Sequence, residues 1–185
     1  MTVLSGDVGL RVGDAVRTRR HALGLTLVEV ASRARLSHPF LSQLERGLAR
    51  PSMRSLTAIA SALGTSAQAL MAESEAPVEP VSLVRHDTDA DAVDSPGGTV
   101  RSLVRGERAM LPSEYTGAPA RFHDYFCHPG EEFVYVVAGV IEVDVDGELH
   151  VVGEGESIYY AGGLRHRWRR AGAIEARLVV VQQNA

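Results

Sequence analysis

The apolar residues of this 185-residue chain change their period once. Through residue 71 they recur every three or four positions, and from Val81 onward every second one. A helical period cannot serve a sheet, nor an alternating one a helix, because the side chains meant for the core would turn away from it. The chain must therefore fold as two bodies of different class. The acidic, proline-bearing stretch 72–80, "AESEAPVEP", is the expected linker between them.

In the first body the helix boundaries are marked explicitly. Val12, Val16 and Leu23 recur at helical spacing until Gly24. Thr26 and Glu29 have the spacing of a capping box, in which hydroxyl and carboxylate each satisfy the other's free backbone donor. The helix that follows is expected to run to about Ala34, with Val30, Ala31 and Ala34 inward. Ser37 should cap a third helix carrying Phe40, Leu41 and Leu44 and closed by Gly47. Ser52 should cap a fourth, with Leu56, Ile59, Ala60 and Leu63 on one face and Gly64 after it, and Ser66 a short fifth.

In the second body the alternating runs are "VSLVRH", "TVRSLV", "EFVYVV", "VIEVDVDGELHVV", "SIYYAG" and "ARLVVVQ". Asp146-Gly147 between two of them is a hairpin signal, because both residues tolerate the positive φ of a two-residue turn. Short strands with no helical run between them predict an antiparallel sandwich or small barrel. The expected fold class is thus two-domain, an all-α five-helix domain over 10–71 followed by an all-β domain over 81–185.

Charge divides at the same place. Residues 1–71 hold nine Arg against four acidic residues, a balance of +5, and residues 72–185 hold ten Arg against nineteen, a balance of −9. A polyanion would be attracted by the first body and repelled by the second, so any nucleic-acid contact belongs to the helices. The single cysteine, Cys127, can form neither an internal disulfide nor a thiolate metal cluster. The longest apolar runs, 133–137 and 178–181, fall far short of the ~20 residues of a membrane helix, and no charged-then-apolar leader opens the sequence. A cytoplasmic protein without membrane contact is expected.

Only Arg35-Leu36-Ser37 joins the second helix to the third, with the small Ala31 where the two must approach. This is the spacing of a helix-turn-helix. Residues 10–71, with the cap at Thr26, Leu36, Leu41 and Leu44 as core, "LSQLERG" closing the third helix and "PS" opening the fourth, closely resemble the phage-repressor-like, xenobiotic-response-element (XRE) DNA-binding family. The resemblance implies that the start of the third helix enters the major groove of double-stranded operator DNA. Its base-facing positions would be His38, Pro39 and Gln43, with Ser42 nearby. Gln43 has the donor and acceptor for a bidentate pair to adenine, His38 can reach a guanine acceptor, and Pro39 offers apolar contact alone. Thr26, Ser37, Arg46 and Arg50 lie where such domains meet phosphates. Arg20 and Glu45 match an internal ion pair of the family, and Arg35 stands where the turn usually has glycine.

In the second body, His128 precedes Glu132 by four residues across a Pro129-Gly130 turn, and His166 follows a Gly-rich turn in "GESIYYAGGLRHRWRR". These segments resemble the two motifs of the cupin family of jelly-roll barrels, His128, Glu132 and Gly139 matching the first and Gly155, Gly163 and His166 the second. Two imidazoles and a carboxylate form the facial triad used for non-haem Fe(II), and could also hold Zn, Mn or Ni. Phe126 stands where metal-binding cupins commonly have a further histidine, Ala161 where proline is usual, and Arg170 where asparagine is usual. The site is then either a three-ligand metal centre or a metal-free pocket in which the same groups hold a small-molecule effector. Phe126 and Trp168 would line it, and Arg170, if inward, would favour an anionic effector. Against both stands the reading in which Glu132 is solvated at a turn and His166 is one exposed residue among arginines.

The order of the two domains resembles the cupin-containing members of the repressor-like family, which implies a transcriptional regulator and not an enzyme. Such a regulator would act as a homodimer whose barrels pair through sheet edges and set two recognition helices ~34 Å apart. The rival is a mononuclear non-haem oxygenase of the hydroxypropylphosphonate epoxidase type, which has the same domain order and a similar His-x-x-x-Glu…His pattern.

Overall fold

The computed structural model of the chain describes residues 7–72, 80–85 and 92–184. Of the expected linker 72–80, residues 73–79 lie outside the described residues. The chain divides into two compact units. One reaches through Asp94 and takes in Val104–Glu107, and the other comprises Ser95–Leu103 and Arg108–Ala185.

The first unit holds α1 (Asp7–Ala22), α2 (Leu27–Ala34), α3 (His38–Glu45), α4 (Met53–Ala62) and α5 (Ala67–Ala72). The caps stand where the sequence predicts them. Thr26 and Glu29 form the reciprocal box, Ser37 accepts from the Phe40 amide, Ser52 from the Ser55 amide and Ser66 from the Ala69 amide. Val16, Val30, Leu41, Leu44, Leu56, Ile59, Leu63 and Leu70, all buried, make the core that the helical period predicts. Burial of this stripe is what stabilises helices that are only eight residues long in α2 and α3, too short to persist alone.

The first alternating run does not become a strand. Residues 81–85 form no strand among the described residues, Val81 and Leu83 are exposed, and Ser82 is tied by its side chain to the Arg105 amide. Alternation produces a strand only where a partner edge is at hand.

In the second unit, β2 (Gly98–Ser102), β3 (Met110–Gly117), β9 (Arg177–Gln183), β4 (Glu132–Ala138) and β7 (Ser157–Tyr160) lie side by side in that order, while β6 (Glu148–Gly153), β5 (Val140–Val145) and β8 (His166–Arg170) form a second sheet. A further short strand, β1 (Ala92–Ser95), falls at the division between the units. Asp146 and Gly147, at φ 48° and 95°, make the two-residue turn from β5 to β6. Every described pair of strands in these sheets is antiparallel. The inward faces meet over Val100, Leu111, Val134, Val136, Ile141, Val143, Leu178 and Val180, all at most 1% exposed.

Candidate functional site

In the first unit the third helix divides cleanly. Leu41 and Leu44 are buried, whereas His38, Pro39 and Gln43 are exposed and Ser42 half-buried. The residues expected to meet bases therefore share the solvent side of a helix whose other side is fixed in the core. Arg46 and Arg50 are exposed as well, and the Arg46 Nε donates to the Ser42 carbonyl at 3.2 Å. Thr26 is exposed but committed, because its hydroxyl donates to Glu29 at 2.7 Å and accepts from the Glu29 amide at 3.2 Å.

Beneath that helix, Arg20 reaches Glu45 through Nε at 2.7 Å and Nη2 at 2.8 Å, with both side chains buried. The Glu45 hydrogen bond outweighs burial and raises the guanidinium further above its ordinary value. Arg35 adopts φ 55°, ψ 39°, so the turn keeps the left-handed cap that glycine usually provides, and the Leu36 amide bonds to the Ala31 carbonyl at 2.9 Å. Arg19 was not singled out by the sequence, yet it donates to the Leu63 and Gly64 carbonyls at 3.1 and 3.0 Å, fastening α1 to the end of α4. A basic residue in the last turn of α1 is a weak signal for that contact.

In the second unit, His128, Glu132 and His166 offer ligand atoms that all lie within 4.8 Å of one another. Glu132 opens β4 and is 1% exposed, and His166 opens β8 and is 2% exposed, so neither is a solvated surface residue. The His128 loop is seated by Gly162, where a Cβ would come within 1.7 Å of the Pro129 carbonyl oxygen. Each imidazole has Nδ1 against a backbone carbonyl, His128 on Gly130 at 2.9 Å and His166 on Leu164 at 3.0 Å. A carbonyl cannot donate, so Nδ1 carries the proton in both rings and Nε2 is turned to the site, the arrangement that metal-binding histidines share. The Nε2 atom of His128 lies 3.0 Å from one Glu132 oxygen, and that of His166 3.7 Å from the other. Donor set, tautomers and spacing fit a divalent metal.

Tyr160 completes the cluster by donating its hydroxyl to Glu132. Sequence alternation places Tyr159 and Tyr160 on opposite faces without saying which is inward; the structure buries Tyr160 and exposes Tyr159. Burial alone would raise the Glu132 carboxyl, but the hydrogen bond from His128, the charges of the two imidazoles and the Tyr160 hydroxyl together hold it below its ordinary value. Burial likewise opposes the charge of His128, but Glu132 outweighs it and raises that imidazole. For His166 burial prevails and the value falls. For Tyr160, burial and then the Glu132 charge push the phenol well up, so it remains a donor.

Phe126 and Trp168 stand beside it, their ring centroids 6.1 Å apart, and Trp168 meets Tyr115 edge-on at 5.4 Å. Phe126 and His166 exchange backbone hydrogen bonds at 2.8 and 2.9 Å, which fixes the aromatic ring next to the imidazole. Arg170, two residues beyond Trp168 on the same strand, is exposed at the end of β8. The neighbouring arginines form a surface ladder, Arg167 on Asp144 and Arg169 on Glu142 being cross-strand pairs of β8 and β5.

Comparison with known proteins agrees with this division. The Helix-turn-helix domain family matches residues 11–73, and the Cupin domain family residues 115–182. Protein SchB of Streptomyces halstedii is 38% identical over 88 residues, 45% of this chain and 64% of that protein. Polyketide synthase CurC of Streptomyces cyaneus is 34% identical over 88 residues, 45% of this chain and 57% of that one, so the match spans under two thirds of either relative. The HTH-type transcriptional regulator PuuR of Escherichia coli K12 is 25% identical over 182 residues, 94% of this chain and 95% of its own length. Among solved structures, an HTH_3 family transcriptional regulator from Vibrio cholerae superposes with a TM-score of 0.66 at 20% identity, over 97% of this chain and 98% of that one. FeII HppE superposes with a TM-score of 0.50 at 21% identity, over 95% and 99%. At those identities the structural likenesses speak to the fold alone. Fold and matches define a helix-turn-helix protein with a carboxy-terminal cupin domain. Over nearly its whole length the chain is similar to the HTH-type transcriptional regulator PuuR, in which the match likewise spans nearly the whole protein. No described helix is long and apolar enough to cross a membrane.

Proposed function

We propose that the chain is a sequence-specific DNA-binding transcriptional regulator whose cupin domain binds a small-molecule effector. The observation that carries the reading is the capped α3, with His38, Pro39 and Gln43 exposed over a buried Leu41 and Leu44. Gln43 reads adenine, and His38 a guanine acceptor, while Ser37, Arg46 and Arg50 hold phosphates. Two such helices in a homodimer span successive major grooves, about 34 Å apart. The effector sits in the barrel against Phe126 and Trp168, beside His128, Glu132 and His166. Those last three would hold a divalent metal, which supplies a Lewis-acidic position for an effector oxygen or nitrogen. Coupling between the sites is reciprocal, so operator DNA changes effector affinity by the factor by which effector changes DNA affinity.

The test is titration of the full chain against a labelled duplex from its own promoter across a range of salt, with Gln43→Ala in parallel. Specific binding that weakens steeply with salt and is lost in the variant is expected. A protein that ignores every duplex at moderate salt yet retains stoichiometric iron would instead be a mononuclear non-haem oxygenase, the reading that the same triad also supports.

A further inference from the structure

Within the second unit, two buried polar atoms have no partner. The Ser113 Oγ and the Gln182 Oε1 accept and donate no hydrogen bond among the described residues, although each residue is 1% exposed. Both belong to the inward faces of their strands. On β9 the inward residues are Leu178, Val180 and Gln182, and on β3 they are Leu111, Ser113 and Tyr115, every one of them buried. The register places Gln182 directly across from Glu132 of β4, and Ser113 opposite Val180, one inward step further along β9. The two orphan groups are thus diagonal neighbours on the wall that carries the Glu132 carboxylate.

A buried polar group that serves only the fold is held by partners, because an unmade hydrogen bond there costs about 1–3 kcal/mol. The neighbouring polar groups obey this: Glu132 bonds to His128 and Tyr160, and His166 to the Leu164 carbonyl. Gln182 and Ser113 depart from it. No arginine or lysine is buried among the described residues of this unit, so an anionic head group beside Glu132 would be repelled with only the imidazoles to offset it.

We propose that Gln182 and Ser113 receive the head group of the effector, and that this head group is a hydrogen-bond donor, an alcohol or an amine, on an apolar body that lies against Trp168 and Phe126. The inference rests on the effector-pocket reading and adds to it the residues that choose the ligand. An alcohol or amine donates to Gln182 Oε1 and exchanges a hydrogen bond with the Ser113 hydroxyl, whereas a carboxylate accepts from Ser113 but cannot donate and leaves Gln182 Oε1 unpaired. Selection then follows from what an ill-matched ligand leaves unpaired.

Trp168 is the chain's one tryptophan and lies beside Phe126 and His166, so its fluorescence would report binding there. The experiment titrates the full chain with 1-hexanol, hexylamine and hexanoate, which share an apolar body and differ in head group. It repeats the titration on Gln182→Leu, Gln182→Met and Ser113→Ala and records the melting temperature of each free protein. The alcohol or the amine is expected to change Trp168 emission saturably, with hexanoate at least about tenfold weaker, and each variant is expected to lose about tenfold in affinity for the preferred probe. The free variants should melt at or above the wild-type temperature, since each loses an unsatisfied group. Hexanoate binding best would overturn the inference. So would variants that bind the probes unchanged, which would leave the pocket itself standing. No response of Trp168 to any probe removes the effector pocket, and this inference with it. The two substitutions at Gln182 and the separate one at Ser113 keep the test open if one of them fails to fold.

Discussion

His128 and Glu132 are hydrogen-bonded, with Nε2 at 3.0 Å from the carboxylate and Nδ1 held on the Gly130 carbonyl at 2.9 Å. The titration of this pair, together with that of His166, sets a pH optimum for the metal-free domain. The folded His128 value lies above the ordinary 6.5, so its contribution is complete below pH 6.5 and is lost as pH rises through the folded value. The folded His166 value lies below 6.5, so its penalty is complete at low pH and is relieved as pH rises toward 6.5. Glu132, lowered from 4.5, stabilises above pH 4.5 and loses that contribution as pH falls through its folded value. Thermal unfolding of chelator-treated protein should therefore be most resistant near pH 6.5. His128→Gln should abolish the decline on the alkaline side. A decline that survives the substitution would assign it to other groups.

Arg35 at φ 55° tests how much the helix-turn-helix loses by lacking glycine. The left-handed conformation costs a side-chain-bearing residue roughly 1 kcal/mol, and the Arg35 side chain is exposed. Arg35→Gly should raise the urea midpoint of the helical circular-dichroism signal by the equivalent of about 1 kcal/mol. An unchanged or lower midpoint would mean that the greater freedom of glycine in the unfolded chain outweighs the relief.

Much of this architecture was legible because the devices that make it are local. Caps at Thr26, Ser37 and Ser52 depend on a side chain and an amide three residues away, and the Asp146-Gly147 turn on two adjacent residues. What escaped depends on distant neighbours. Strand β3 carries Pro112 and Ser113 in its middle, which hides its alternation, and it becomes a strand because β2 and β9 flank it. The run at 81–85 has the pattern without the flanking strands. The triad could be named from its motifs, but not the face on which Tyr160 lies, nor the burial of Gln182 and Ser113, which only the sheet register decides.

The Arg20–Glu45 pair should behave as a buried ion pair rather than as a surface one, because its two side chains are 8% and 6% exposed. Removing one partner leaves a buried charge alone. Glu45→Ala should therefore cost about 3–5 kcal/mol, while the double change Arg20→Met with Glu45→Leu, which fills the space with apolar atoms, should cost far less. Urea unfolding of the two single variants and the double variant measures the coupling. Additive losses would show that packing, and not pairing, holds α1 to α3.

Base reading and phosphate holding separate in their salt dependence. A cation that neutralises a phosphate releases a counterion, so Arg46→Ala and Arg50→Ala should each lower the slope of log K against log salt by about 0.9 and weaken specific and non-specific duplexes alike. Gln43→Ala should leave the slope unchanged and weaken only the cognate duplex, by about 1–3 kcal/mol, because a lost bidentate pair to a base carries sequence and no counterion. Thr26 gives the internal control. Its hydroxyl is already engaged by Glu29, so Thr26→Val should cost about 1 kcal/mol of stability through the broken cap and leave the salt slope where it was. Anisotropy titrations at four or more salt concentrations, on cognate and scrambled duplexes, distinguish these outcomes. A Gln43→Ala slope that falls with that of Arg46→Ala would place α3 along the backbone and remove it from the groove.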